Sequence, residues 1–158
     1  MAQGKTNAMR LLDAARLEYN SLSYDSKDGK IDGVSVAGKI GRDPEQVYKT
    51  LVAQAGRNVY VFIIPVEAEL DLKKAAKAAG EKKVEMIPVK DIQKLTGYIR
   101  GGCSPVGMKK LYSTFIDSQG EQLESIIVSG GKIGLQIELA PERLKELIKA
   151  EWKDLAKE

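Results

Sequence analysis

The chain has 158 residues, 43% hydrophobic and 30% charged, with a net charge of +3, one cysteine and no histidine. That length and balance describe a single globular domain over 1–158, large enough to bury a core without metal or disulfide staples. The missing imidazole excludes Ser-His-Asp and Cys-His nucleophile systems, and no Cys/His set exists for structural or catalytic zinc. Cys103 alone forms no intrachain disulfide, which suits a reducing compartment. The first residues lack a signal-peptide core and no apolar run nears the ~20 residues of a membrane span, so a cytoplasmic location without membrane contact is expected.

In chain order, Ala8, Leu11, Leu12 and Ala15 repeat at helical spacing behind Thr6 or Asn7 as a cap. Residues 19–25 alternate as a strand, and 35–40 form a short helix after a glycine-punctuated turn. Asp43, Pro44 and Gln46 have the order of a helix start: an acidic cap, proline first, glutamine at the capping-box position. A strand begins within 47–51, and the run VYVFII at 59–64 reads as a buried strand bounded by Pro65. Residues 70–79 form an alanine- and lysine-rich helix capped by Asp71 and stopped by Gly80. A second short helix over 89–95 ends at Gly97. Segments 111–117, 125–128 and 134–139 read as strands, the last two forming a hairpin across 129–132. Pro141 opens a final amphipathic helix running to about Trp152, with Leu144, Leu147 and Ile148 on one face. Strands and helices intermingle without regular βαβ alternation, which fits a mixed sheet or barrel decorated by helices.

Two glycine-rich turns carry the chemistry: GYIRGGCSPVGMKK from Gly97 to Lys110, and SGGKIG from Ser129 to Gly134. Glycine brings backbone close to a ligand and frees N–H groups to face an anion or a developing oxyanion. The first turn is not a phosphate-binding P-loop, because Met108 separates Gly107 from the lysines and Leu111 follows Lys110. It is a plain tight turn or a rigid substrate cradle whose path Pro105 fixes. Lysines cluster at Lys73, Lys74, Lys77, Lys82, Lys83, Lys109 and Lys110, as a solvated face or a phosphate-tracking patch.

These turns, with KTL at 49–51 and LKKAAKAAGEKKVEM at 72–86, resemble the YbaK/EbsC family in order and spacing over essentially the whole chain. Its members are relatives of the editing domain inserted in bacterial prolyl-tRNA synthetases. The resemblance implies an α/β fold with a mixed, partly barrel-like sheet surrounded by helices. It also implies a freestanding aminoacyl-tRNA deacylase that needs no cofactor or metal and removes cysteine from mischarged Cys-tRNA(Pro). Its expected partners are aminoacyl-tRNA and, transiently, prolyl-tRNA synthetase, with no DNA. Deacylation of Ala- or Ser-tRNA, or a non-enzymatic regulatory role of the EbsC kind, stays open at this point.

By that resemblance Lys49 and Gly101 fall on catalytic positions. Tyr24, Thr50, Gly102, Cys103, Ser104, Pro105, Ser129, Gly130 and Gly131 fall on substrate-binding ones. Some members place an acidic residue where this chain has Gln136, which is assigned no catalytic role. Physically, an aminoacyl ester is already activated, so orientation and oxyanion stabilisation suffice for its cleavage. Lys49 is suited to a phosphate or to anchoring substrate, while Tyr24 and Ser129 either orient substrate or serve only as strand and turn residues. Cys103 lacks an imidazole base, so a pocket-lining or inert thiol is expected, and the substrate's own thiol is the expected nucleophile.

Overall fold

A computed structural model describes residues 5–158. Helix α1 (Asn7–Ala14) starts at Thr6, whose hydroxyl accepts the Met9 amide at 3.2 Å, and buries Ala8 and Leu12. Strand β1 (Asn20–Ser23) follows, then α2 (Gly33–Ile40) behind the Asp32 cap. Asp43 and Pro44 open one turn of 3-10 helix, and Val47, in extended conformation, leads directly into β2 (Tyr48–Ala55). Strand β3 (Asn58–Pro65) returns antiparallel to β2 with Lys49 opposite Ile64 and Thr50 opposite Ile63.

Helix α3 (Leu72–Ala79) has the expected ends: the Asp71 carboxylate accepts the Lys73 and Lys74 amides, and Gly80 closes it. A two-residue strand β4 (Glu85–Met86), absent from the sequence reading, pairs with Ala53 and Gln54 of β2. The expected helix over 89–95 is a 3-10 turn at Val89–Asp91 running into α4 (Ile92–Thr96). Strand β5 (Ser113–Asp117) lies parallel to β3. Strands β6 (Ile126–Ser129) and β7 (Leu135–Leu139) form the expected hairpin, and β1 pairs on the other side of β7.

The final helix is shorter than the sequence suggests. Helix α5 (Pro141–Leu147) stops because Lys149 takes a left-handed conformation (φ 53°) and the Ala150 amide turns back onto the Lys145 carbonyl at 2.9 Å. Trp152, expected in that helix, lies in β8 (Glu151–Lys153), parallel to β5. The buried Asp117 carboxylate holds the segment beyond it, accepting the Leu155 and Ala156 amides at 3.0 and 3.1 Å.

The result is two sheets, ordered β1-β7-β6 and β4-β2-β3-β5-β8, joined by a parallel bridge between Val47 and Ile127. The wrap is partial and the sheets do not close on themselves. Alternation along β3 explains its unbroken apolar run: Val61 and Ile63 face a core shared with β6, β7, α1 and α5. Phe62 and Ile64 face the other core under α3, where Phe62 stacks on Phe115 at 5.6 Å.

One polar cluster pins the sheet junction. Glu138 on β7 accepts hydrogen bonds from Asn20, Arg42, Gln46 and Ser125 at 2.9–3.2 Å. Burial pushes its carboxyl up, but the Ser125 and Asn20 hydrogen bonds and the Arg42 charge outweigh that and hold it below 4.5. A depressed carboxylate contributes stability that is present above the unfolded value and lost as pH falls through the folded one. Thermal melts should therefore show a Glu138→Gln variant losing less stability than wild type on acidification below pH 4.5. Parallel acid profiles would show that the cluster adds nothing.

Candidate functional site

The two glycine turns meet at one end of the molecule. The first is rigid by its own bonds: Tyr98 Oη donates to the Val106 carbonyl at 2.6 Å, and Ser104 Oγ accepts the Val106 amide at 3.2 Å. In the second, the Gly130 amide donates to the Leu135 carbonyl at 2.9 Å and the Gly131 amide to Ser129 Oγ at 3.2 Å. The start of α1 staples both, with Thr6 Oγ1 donating to the Gly130 carbonyl at 2.6 Å and Asn7 Nδ2 to the Gly107 carbonyl at 2.7 Å.

Gly102 is where the turns touch. A Cβ there would lie 2.8 Å from Lys132 Cα and 2.9 Å from the Ile133 amide nitrogen, so only glycine allows this approach. Its neighbour Gly101 has φ +87°, and a Cβ on it would press on Ile31 at 3.0 Å.

Beside this junction lies a pocket of about 200 Å³. Tyr24, Lys49, Thr50, Gly101, Cys103 and Ser129 line it together. The remaining expected residues stand elsewhere. Gly102 carries the loop contact, buried Ser104 braces its own turn, and Pro105 faces a separate groove beside Leu11 and Leu111. Gly130 packs on Leu135 and Gly131 on Tyr98 and Thr6. Close packing accounts for the three glycines, and a hydrogen bond within the turn accounts for Ser104. The sequence reading missed Arg100 and the apolar wall of Ile31, Val36 and Val66, and gave no role to Gln136, which also lines the pocket. Arg100 directly precedes Gly101, and that adjacency was the one signal available for it.

The pocket opens along an uncovered stretch of β2. Between the bridge at Val47 and the Ile87 amide bonded to the Val52 carbonyl, no strand among the described residues covers this edge. Thr50 Oγ1 and Tyr24 Oη are buried and have no hydrogen-bond partner. The amides of Gly101 and Cys103 likewise donate to no acceptor among the described residues. The two buried hydroxyls are costly unless a ligand meets them, whereas the exposed Gly101 and half-buried Cys103 amides are left open to solvent or ligand.

The Lys49 ammonium forms no hydrogen bond or ion pair with any described residue. Burial lowers its pKa below 10.5, with the Glu69 charge opposing. Burial pushes the Cys103 thiol up to about 11, offset in part by a hydrogen bond with Thr96. At neutral pH that sulfur is a protonated, unreactive thiol. Among the described residues no three acidic or cysteine side chains are grouped to hold a metal ion, and no helix is long and apolar enough to cross a membrane.

The lysine cluster divides. Lys74 is engaged with Asp154 and the Ala156 carbonyl, and Lys109 with the Lys94 carbonyl, so these two secure the fold.

Comparison with known proteins agrees with this architecture. Residues 33–147 match the model of the aminoacyl-tRNA editing domain. The chain belongs to that family. It is 44% identical over 97% of its length, and 94% of the relative's, to an Enterococcus faecalis protein named as a proposed Cys-tRNA(Pro)/Cys-tRNA(Cys) deacylase, EbsC. A crystal structure titled as a proposed trans-editing enzyme for prolyl-tRNA synthetase superposes with a TM-score of 0.83 at 22% identity, covering 99% of this chain and 100% of that one. Another, of a hypothetical protein, gives 0.85 at 21% identity, covering 96% and 99%. These two likenesses establish the fold.

Two measurements test the geometry. Gly102→Ala should cost at least about 1 kcal/mol by forcing the turns apart; an unchanged denaturant midpoint would mean that they are not in contact. Alkylation of Cys103 near neutral pH should run far slower than that of free cysteine, whereas a matching rate would reveal an accessible thiolate.

Proposed function

We propose that this protein is a freestanding deacylase that removes cysteine from mischarged Cys-tRNA(Pro), and from Cys-tRNA(Cys), in trans. The observation that carries the reading is the pocket itself. It is small, holds an unpaired lysine and unpartnered buried hydroxyls, and its one thiol is held protonated at neutral pH by burial. The name of the Enterococcus faecalis relative agrees with it.

The pocket suits chemistry in which protein groups position and the substrate reacts. The cysteinyl side chain folds toward its own ester, and its sulfur bonds to the carbonyl carbon. The bond to the ribose oxygen breaks, the thiol proton passes to that oxygen, and water opens the cyclic thioester to free cysteine. Holding the reacting pair in place supplies as much as roughly 7–11 kcal/mol of the barrier reduction. The free Gly101 and Cys103 amides face the developing oxyanion. Lys49 meets the phosphate at the tRNA end, and Tyr24, Thr50 and Ser129 orient the aminoacyl group. An encounter with prolyl-tRNA synthetase fits an enzyme that acts on a freshly mischarged product. A cytoplasmic setting fits the same role.

Lys49→Ala should fold normally and lose about 10²–10³ in deacylation rate. Methylating the substrate sulfur should abolish turnover while binding persists, and Cys103→Ala should retain most activity. Rapid hydrolysis of the S-methylated ester would defeat the thiol mechanism. A panel of Cys-, Ala- and Ser-tRNA with no turnover at all would defeat the deacylase reading.

A further inference from the structure

The pocket's charge balance constrains the form of the substrate that enters it. An aminoacyl ester carries a free α-amine, which titrates at roughly 7.7–8.0 when unperturbed and is largely an ammonium at neutral pH. A site built to bind that ammonium offers it a carboxylate. Among the described residues lining this pocket there is none, and the two charged side chains that do line it, Lys49 and Arg100, are both cations.

The surrounding elements do not change the sign. From α2, Lys39 lies 5.9 Å over the Tyr24 ring and is itself paired with Asp28. Asp32 is committed to capping α2 through Ser35. Glu69, the carboxylate that acts on Lys49, is paired with Lys157 and does not line the cavity. Cys103 is a neutral thiol, and burial, with the Asp117 and Glu45 charges, raises the Tyr48 hydroxyl far above neutrality; neither carboxylate lines the cavity, and Asp117 is occupied by the Leu155 and Ala156 amides. A phosphate at the tRNA end would satisfy the two cations but would leave an ammonium without an anion of its own.

Neutral groups are abundant instead. Tyr24 Oη and Thr50 Oγ1 are buried without partners, and both can donate to a nitrogen lone pair. Gln136, only 6% exposed on the same wall, has a side-chain amide that bonds to no described residue.

We propose that the pocket takes the aminoacyl group with its α-amine uncharged, and therefore also accepts esters whose amine is blocked by a small acyl group. The inference rests on the deacylase reading for what enters the pocket and extends it to N-acylated substrates. Recognition then depends on the neutral hydroxyl and amide groups, with no ion pair to the amine.

The test uses non-hydrolysable probes: adenosine bearing cysteine, or N-acetylcysteine, through a 3′-amide, titrated calorimetrically into the full chain. The free-amine probe should bind about tenfold or more tighter near pH 8.5 than near pH 6, following the neutral fraction of its amine. The N-acetyl probe should bind at both pH values and change by less than about threefold. Both probes are used as their S-methyl forms, because acylating the amine would also shift the titration of a free cysteine thiol; Lys49 titrates alike with either, so the difference between the two profiles isolates the amine. Gln136→Glu, checked for folding by circular dichroism, should reverse the preference by giving the ammonium a partner. Free-amine binding that is as tight near pH 6, or an N-acetyl probe that fails to bind, overturns the inference. Cys-tRNA turnover by the same preparation reports separately on the deacylase reading. Turnover with the wrong pH trend sinks this inference alone, and the expected binding without turnover sinks only the deacylase.

Discussion

The contact between Gly102 and the Lys132–Ile133 backbone is the constraint on which the rest of the site depends. Two turns from distant parts of the chain approach closer than any side-chain carbon permits. Each is braced by its own hydrogen bonds, and the first residues of α1 hold both through Thr6 and Asn7. Helix α1, which contributes nothing to the pocket wall, thereby sets the pocket's shape. The apolar face that buries Ala8 and Leu12 is what anchors those two polar staples.

Polar satisfaction differs between the pocket and the two buried carboxylates. Away from the pocket, Glu138 and Asp117 are surrounded by donors, and each ties together elements remote in sequence. At the pocket, hydroxyls, amides and an ammonium are left without partners. Of the buried side-chain atoms without a partner, the hydroxyls of Tyr24, Tyr48 and Thr50 belong to residues that line the pocket, while Arg42 Nε and Trp152 Nε1 lie outside it, so the open hydroxyls gather in one concave place. Placing the same groups in water would screen them. Burial is what makes them selective.

Most elements were legible because their signals are local. Asp71 and Gly80 bracket α3 as read, and the apolar run of β3 announces a strand buried on both faces. The end of α5 was not legible, since its left-handed stop is a lysine rather than the glycine or asparagine that usually marks one. Strand β4 is two residues long and exists only because β2 offers an edge. At the site, the family resemblance pointed to Lys49, Tyr24 and the glycine turns. It did not separate residues that line the cavity from those that let the turns touch. Gly101 and Gly102 are adjacent and chemically identical, and only the packing distinguishes them. Arg100 and Gln136 look like ordinary surface and strand residues until the first glycine turn and β7 bring them to one pocket.

The strap formed by residues 151–156 has a consequence for how the chain folds. Until it docks, β5 presents a bare parallel edge and the buried Asp117 carboxylate has the nearby Gln119 amide but lacks those of Leu155 and Ala156. Leu70 depends likewise on its bridge to the distant Ala156. Contacts of such long sequence separation form slowly, and an uncovered strand edge is prone to join other chains. A chain in which this strap has not yet docked therefore carries an adhesive edge that the folded protein conceals, even though no residue that lines the pocket belongs to the strap.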